Sequence, residues 1–437
     1  MGDRLLNNQL KRVVLLSTGD ELMSGKIADT NAQWMADRFY TLGLEVAAVL
    51  TVGDFRDRLV WAWEQAFAMG DLVVSTGGIG PTADDLTTET LAGILGEELR
   101  FDEYTAERMR RLFEGMRRPM PENNLKQAWF PKSAIIVPNA LGTAPGYRVS
   151  TEREVGGEKV MRHLIVLPGV PREMKRMFDE AVIPWVVEQQ GDTAPPVART
   201  FQTFGMSESA LDEAVAEVIP EGAARVSFRA SFPKIGITLL IRGEDAEARL
   251  ERLSATLRER LGGTIYAEGE TLMEQAAGEA LRARGATVAV AESCSGGLIG
   301  SRLTDIPGSS EYFLADFVTY SNQAKQKILG VPAAILDAHG AVSEETVRHM
   351  AEGARERAGS DIAVATSGIA GPGGGTEERP VGTVCFALAT PEGTISRRHQ
   401  LWGSRDWIKL LTSQIALDWI RRWAKGIDVL ESGFRRK

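Results

Sequence analysis

The chain has 437 residues, 43% hydrophobic and 25% charged, with a formal net charge of −9. That length exceeds one ordinary core and predicts two or three soluble globular domains, while the negative balance argues against a general nucleic-acid surface. Two cysteines, Cys294 and Cys385, leave no disulfide framework or Cys-rich zinc site, and a polar Met1–Arg12 without any long apolar run predicts a cytoplasmic protein with no membrane partner.

Val13 to Thr18 is an apolar run of buried-strand type that stops at Gly19-Asp20-Glu21-Leu22. Helical spacing follows over Asn31 to Leu42, then a strand over Val46 to Val52 and a helix around Leu59 to Met69. A third strand, Asp71 to Thr76, ends in Gly77-Gly78-Ile79-Gly80-Pro81-Thr82-Ala83-Asp84-Asp85. Strands alternating with helices predict a mostly parallel sheet with ligands at the carboxyl ends of its strands, where both Gly-rich loops lie. The spacing is neither a dinucleotide GxGxxG nor a P-loop. Gly77 and Gly78 are expected to offer backbone N–H groups to phosphate oxygens. Asp84 and Asp85 are candidates for a divalent cation (Mg, Mn or Co) that neutralises a pyrophosphate; the alternative is a helix N-cap before Leu86-Thr87-Thr88-Glu89.

Thr18-Gly19-Asp20-Glu21-Leu22 and Thr76-Gly77-Gly78-Ile79-Gly80-Pro81-Thr82 resemble the molybdopterin-binding domain shared by molybdenum-cofactor proteins and the N-terminus of the CinA (competence/damage-inducible) family. Pro121-Glu122-Asn123-Asn124, the Asn139–Gly146 block and Leu167-Pro168-Gly169-Val170-Pro171 continue the match. The resemblance implies a domain over residues 1–188 that cleaves ADP-ribose to AMP and ribose 5-phosphate. Its implied substrate-binding residues are Thr18, Gly19, Glu21, Thr76, Gly77, Gly78, Gly80, Pro81, Thr82, Asn124, Gly142 and Thr143.

Asp192-Thr193-Ala194-Pro195-Pro196 reads as a break between domains. Strand Val197–Phe204, helix Ser207–Val218, strands Arg225–Ala230 and Ile235–Arg242 and helix Asp245–Leu261 then predict a small α+β domain over 189–267. It resembles an RNA-binding KH module in outline but lacks the GXXG clamp, so a spacer or dimerisation role is expected.

Over 268–437 the expected fold is again α/β. An amphipathic helix, Thr271 to Arg284, leads to strand Ala286–Val290 and to Ala291-Glu292-Ser293-Cys294-Ser295-Gly296-Gly297, with helix Leu298–Leu303 beyond. A strand–turn–helix corner holds a hydroxyl at the turn and leaves backbone N–H groups free in front of it. Tyr320 and Lys325 follow as a phenol and an amine five residues apart. A desolvated lysine is a base able to activate a hydroxyl. Helices Ala333–Ala338 and Ser343–Ala358, strand Ile362–Thr366, strands Gly382–Ala389 and Thr394–Leu401, and a closing helix through Trp423 complete the domain.

The heptapeptide, Phe317–Asn322, His339–Ser343 and Ser367-Gly368-Ile369-Ala370-Gly371-Pro372 resemble, in order, the C-terminal domain of the CinA family, the nicotinamide mononucleotide (NMN) deamidase module. The resemblance places the catalytic serine at Ser293, with Ser295 as the alternative. Lys325 is then the general base, Tyr320 orients or relays the proton, and N–H groups at Ser295, Gly296 and Gly297 hold the oxyanion. Ser367, Gly368, Ile369, Ala370 and Gly371 are expected to bind NMN, with Arg405 on its phosphate. The histidines (His163, His339, His349, His399) fit no serine–histidine pattern, and this domain is expected to need no cofactor. The resulting expectation is a homodimeric, bifunctional enzyme acting on NMN and ADP-ribose. Its rivals are an N-terminal domain that only binds a pterin or nucleotide, and a non-catalytic factor in DNA uptake or repair.

Overall fold

The computed structural model describes residues 10–191 and 196–433. Asp192–Pro195 of the predicted break, the first nine residues and the last four lie outside them. The chain divides into two compact units, residues 1–197 with 242–246, and residues 198–241 with 247–437.

In the first unit, β1 (Arg12–Thr18), β2 (Glu45–Val52) and β3 (Leu72–Thr76) alternate with α1 (Asp20–Met23), α2 (Thr30–Thr41) and α3 (Arg56–Met69). Next come α4 (Thr87–Leu95), β4 (Leu99–Phe101), α5 (Glu103–Gly115), β5 (Trp129–Pro131), β6 (Ile135–Val137), β7 (Gly146–Val155), β8 (Glu158–Leu167), α6 (Pro171–Met177) and α7 (Ile183–Gln190). The main sheet runs β2-β1-β3-β8-β7-β6, parallel from β2 to β8 and antiparallel beyond. Strand periodicity decides its two cores. Val13 and Leu15 of β1 pack with Met35 and Phe39 of α2, whereas Val14 and Leu16 pack with Leu59 and Trp63 of α3. All four β1 residues are fully buried, as a continuous apolar run with helices on both faces requires.

In the second unit, β9 (Val197–Thr203), α8 (Glu208–Ala216), β10 (Arg225–Ser231), β11 (Lys234–Ile241), α9 (Ala246–Leu261) and β12 (Ile265–Glu268) build a four-stranded sheet ordered β10-β11-β9-β12. Then follow α10 (Met273–Arg284), β13 (Val288–Glu292), α11 (Leu298–Thr304), β14 (Phe313–Val318), α12 (Asn322–Leu329), α13 (Ala333–His339), α14 (Glu344–Ala358), β15 (Ile362–Gly368), β16 (Thr383–Thr390), β17 (Gly393–Gln400) and α15 (Arg405–Lys425). Their sheet runs β14-β13-β15-β16-β17, with β14, β13 and β15 parallel. Val288 and Val290 face α10 and α15, while Ala289 and Ala291 face α14.

Side chains of α15 tie the two sheets of this unit together. Arg421 and Arg422 are buried, share the carboxylate of Asp418 and both donate to the Gly263 carbonyl. At the β10–β11 turn, Phe232 stacks on Trp407 with ring centroids 4.2 Å apart. Among the described residues no helix is long and apolar enough to cross a membrane.

Candidate active sites

The parallel strands of each unit end in a Gly-rich loop, and both loops carry polar groups. In the second unit, β13 pairs with β14 so that Glu292 lies opposite Val318. This register brings the next residues, Ser293 and Thr319, to one end of the sheet. Ser321 then caps α12, whose first turn carries Lys325 back beneath the loop. Lys325 is 1% exposed; its Nζ lies 3.1 Å from Ser293 Oγ and 2.7 Å from the Thr319 carbonyl. Burial lowers the Lys325 pKa to about 8, and among the described residues no carboxylate forms an ion pair with it. A lysine bonded to a carbonyl, without a counter-ion, can be neutral near physiological pH and direct its lone pair at the serine hydroxyl.

Ser295, the alternative nucleophile, is fully buried, and its hydroxyl is bonded to Thr366 Oγ1 at 2.9 Å. Burial pushes the Cys294 thiol up to about 12, so at neutral pH it is neither thiolate nor base. None of the histidines meets Ser293 in a described contact: His163 bonds Ser150, His339 and His349 face Glu345 and Glu352, and His399 packs edge-on against Phe386.

The loop differs from expectation at Gly297. Its φ of +91° suits glycine, but its N–H donates to Glu292 Oε2 at 2.9 Å and is not available to an oxyanion. Among the described residues the N–H groups of Ser295 and Gly296 make no protein hydrogen bond. Tyr320 also departs from its expected relay role. Its phenol is exposed and accepts a hydrogen bond from Arg405 at 3.2 Å, while only its main-chain carbonyl, at 3.5 Å, approaches Lys325. Arg405 also donates to the Gly371 carbonyl at 2.8 Å, which holds its guanidinium between two loops.

The remaining NMN-binding candidates divide. Ser367 is buried and bonds the Ala341 carbonyl, and Ala370 belongs to the apolar core. Gly368 is backed tightly by Val384 and Thr383, and Ile369 donates its N–H to the Thr383 carbonyl. These residues shape the loop, and Gly371 meets Arg405. Lys409, one helical turn beyond Arg405, was not anticipated from the sequence; its ammonium lies 4.0 Å from where a Cβ on Gly296 would stand. The i, i+4 spacing of two cations at the start of a helix was the available signal.

In the first unit a cleft of about 500 Å³ opens at the strand ends. Thr18, Gly19, Glu21, Gly77, Gly78, Gly80, Pro81 and Thr143 line it, as do both Asp84 and Asp85. Thr76, Thr82, Asn124 and Gly142 do not. Thr76 is buried beneath the loop, and Asn124 supports Gln127, which bonds the Ile79 carbonyl. Gly142 donates to the Asn139 side chain. Gly77 adopts a φ of +98° but donates its N–H to the Leu167 carbonyl, so it cannot also bind phosphate as expected; the Gly78 N–H makes no protein hydrogen bond among the described residues.

The paired aspartates differ. Asp85 accepts from the Thr82 N–H and hydroxyl, at 2.9 and 2.5 Å, and holds the turn. Asp84 is exposed, with its pKa lowered by hydrogen bonding at the Thr82 turn and by Lys126. Asp54, which the sequence reading missed, faces the same cleft. Burial raises its pKa first, and the carboxylates of Asp20, Glu21 and Asp84 add to the shift. Among the described residues no three metal-ligating side chains converge. The donor set fits an ion that carries one or two protein carboxylates and completes its shell with substrate oxygens. Beside the cleft, sharing Ile79, Gly80, Asp85 and Gln127 with it, lies a cavity of about 390 Å³ walled by Trp129, Phe130 and Tyr147.

Three protein families match successive parts of the chain. Residues 14–188 match the family described as a probable molybdopterin binding domain, 198–267 the damage-inducible protein CinA KH domain, and 270–424 the CinA C-terminal domain. A CinA-like protein of Geotalea uraniireducens is 42% identical over 415 residues, covering 94% of this chain and 97% of its own. A Shewanella oneidensis protein named nicotinamide-nucleotide amidohydrolase PncC is 41% identical over 413 residues, covering 94% and 95%. A solved structure, the competence/damage inducible protein CihA from Agrobacterium tumefaciens, is 41% identical with a TM-score of 0.33, covering 33% of this chain and 90% of that one.

Proposed function

This chain belongs to the CinA family, and from that premise we propose that its C-terminal site hydrolyses the carboxamide of NMN to nicotinate mononucleotide and ammonia. The observation that carries the proposal is the buried Lys325 amine 3.1 Å from Ser293 Oγ, with its pKa lowered to about 8. The substrate is suggested by the name of the Shewanella relative.

Ser293 Oγ attacks the carboxamide carbon as Lys325 Nζ takes its proton. The negative charge that develops on the carbonyl oxygen is held by the N–H groups of Ser295 and Gly296. Lys325 returns the proton to the departing nitrogen, which leaves as ammonia, and an ester remains on Ser293. The same amine then deprotonates a water that cleaves the ester. Arg405 and Lys409 supply positive charge for the nucleotide phosphate, and Tyr320 positions Arg405. Purified protein incubated with NMN should release ammonia and the acid in equal amounts; a Ser293→Ala protein that does so at the original rate rejects the assignment.

The two joined cavities of the first unit favour a second activity, hydrolysis of ADP-ribose to AMP and ribose 5-phosphate. The aromatic walls suit a purine, and the cleft with Gly78, Asp54 and Asp84 suits a diphosphate. A bound divalent ion would supply charge neutralisation to the diphosphate there, with Asp84 and Asp54 as its protein ligands. The protein's own groups position the diphosphate over Gly78 and the base against Trp129. A homodimer is part of this proposal, and sedimentation of the full chain tests it.

A further inference from the structure

We infer that Glu292, which is buried, and the half-buried Asp316 form a proton-sharing carboxyl pair that positions the nucleophile loop, a role that rests on the Ser293–Lys325 amidase reading. Glu292 is the last residue of β13 and is fully buried. Its Oε1 accepts from the N–H groups of Ile299 and Gly300 at 2.8 and 2.9 Å, and its Oε2 from Gly297 at 2.9 Å. These belong to the first turn of α11, where backbone donors lack partners within the helix. The side chain therefore closes a ring from the end of the strand, across the loop, to the start of the helix. Ser293 leaves that ring next to Lys325, and the N–H groups of Ser295 and Gly296 stay outside the clamp.

Asp316, on the adjacent strand β14, is half-buried, and its Oδ1 is buried with no hydrogen-bond partner among the described residues. Its Oδ2 lies against Gly300, the residue whose N–H is bonded to Glu292 Oε1, so that both carboxyls converge on Gly300 and a Cβ there would collide with Asp316. Two carboxyls that converge on one residue with no cation between them favour a state in which one of them keeps its proton. Both Glu292 oxygens already accept N–H bonds, so the proton belongs to Asp316. Burial, and Glu292 after it, hold the Asp316 pKa up to about 7. Among the described residues no cation pairs with either carboxyl. Arg302, on the same helix α11, is bonded instead to Glu274, Ser413 and Gln414. Loss of the Asp316 proton would set a second negative charge against the buried Glu292 carboxylate and loosen the clamp. Glu292 and Asp316 are positioning residues that act on the reaction through the loop.

The test uses the full-length chain, with kcat and KM for NMN against pH, amide hydrogen exchange over residues 297–300, and thermal melting. Glu292→Gln places an amide NH2 against backbone donors; kcat should fall at least about a hundredfold with KM within about threefold, and 297–300 should exchange faster. Asp316→Asn keeps a donor toward Glu292 but cannot titrate. Its kcat should stay within about fivefold of wild type at pH 6.5 and keep rising above pH 7, where the wild type turns over. Its melting temperature should exceed that of wild type by more at pH 8.5 than at pH 5. Wild-type kcat in Glu292→Gln, or superimposable profiles for Asp316→Asn and wild type, would overturn the inference. If Glu292→Gln does not fold, the Asp316→Asn profile decides. Failure of the amidase reading itself is recognised separately, by wild-type protein that releases no ammonia; the exchange and melting measurements then judge the clamp.

Discussion

Lys325 approaches Ser293 from inside the protein, with its amine 3.1 Å from the hydroxyl and 2.7 Å from the Thr319 carbonyl. Deprotonation of the amine is what makes it a base, and burial brings that step to about pH 8. With Asp316→Asn removing the opposing titration, kcat/KM for NMN should therefore rise with pH and level above about 8. Lys325→Arg, which stays charged, should abolish ammonia release at every pH.

The same shift has a stability consequence. The folded pKa lies below the ordinary value of 10.5, so between about 8 and 10.5 the unfolded chain binds more protons and stability rises with pH. Below about 8 both states are charged, and the buried ammonium carries its full cost. Lys325→Met should stabilise the protein at pH 7 by up to about 3 kcal/mol, an upper bound because the bond to Thr319 is lost as well. Calorimetric melting at pH 7 and pH 10 reads this; an equal gain at both would contradict it.

Ser293→Ala and Ser295→Ala should behave differently. Removing the Ser293 hydroxyl should reduce ammonia release by at least about a thousandfold without loss of stability. Removing the Ser295 hydroxyl strands Thr366 Oγ1 in the interior, which should cost about 1–3 kcal/mol while turnover falls less than about tenfold. Chemical denaturation and initial rates on the same preparations separate the two effects.

Arg405→Ala should raise KM for NMN by about ten- to a hundredfold, the worth of one charge-assisted contact to a phosphate. The phosphate-free nucleoside should be affected far less. Tyr320→Phe should give a smaller loss of the same kind, because it removes only the phenol that steadies the guanidinium. Equal effects on nucleotide and nucleoside would place the phosphate elsewhere.

Chelation should stop ADP-ribose cleavage and leave ammonia release intact. Asp84→Ala should lose most diphosphate hydrolysis while remaining folded, because its carboxylate is exposed in the cleft. Asp85→Ala should lose roughly 1 kcal/mol of stability through the Thr82 turn. Hydrolysis unchanged in Asp84→Ala would move the metal ligand elsewhere.

Local pattern was enough to establish much of this protein. Val13–Thr18 and Ala286–Val290 announce buried strands because residues covered on both faces must be apolar throughout. The Gly-rich loops after them mark the sites because glycine permits positive φ and close backbone approach. Tertiary structure alone decided which groups in those loops are free to act. Pairing of β13 with β14 brings Ser293 and Thr319 together and lets Lys325 reach one hydroxyl while Thr366 occupies the other. Backbone donors at Gly77 and Gly297 are spent on Leu167 and Glu292, partners fixed by strand order and by a side chain's reach, neither of which a glycine in a sequence displays. Tyr320 meets Arg405 across 85 residues, and Asp316 and Glu292 reach Gly300 from adjacent strands. Periodicity reports whether a residue faces the interior; the partner it finds there depends on contacts between distant segments.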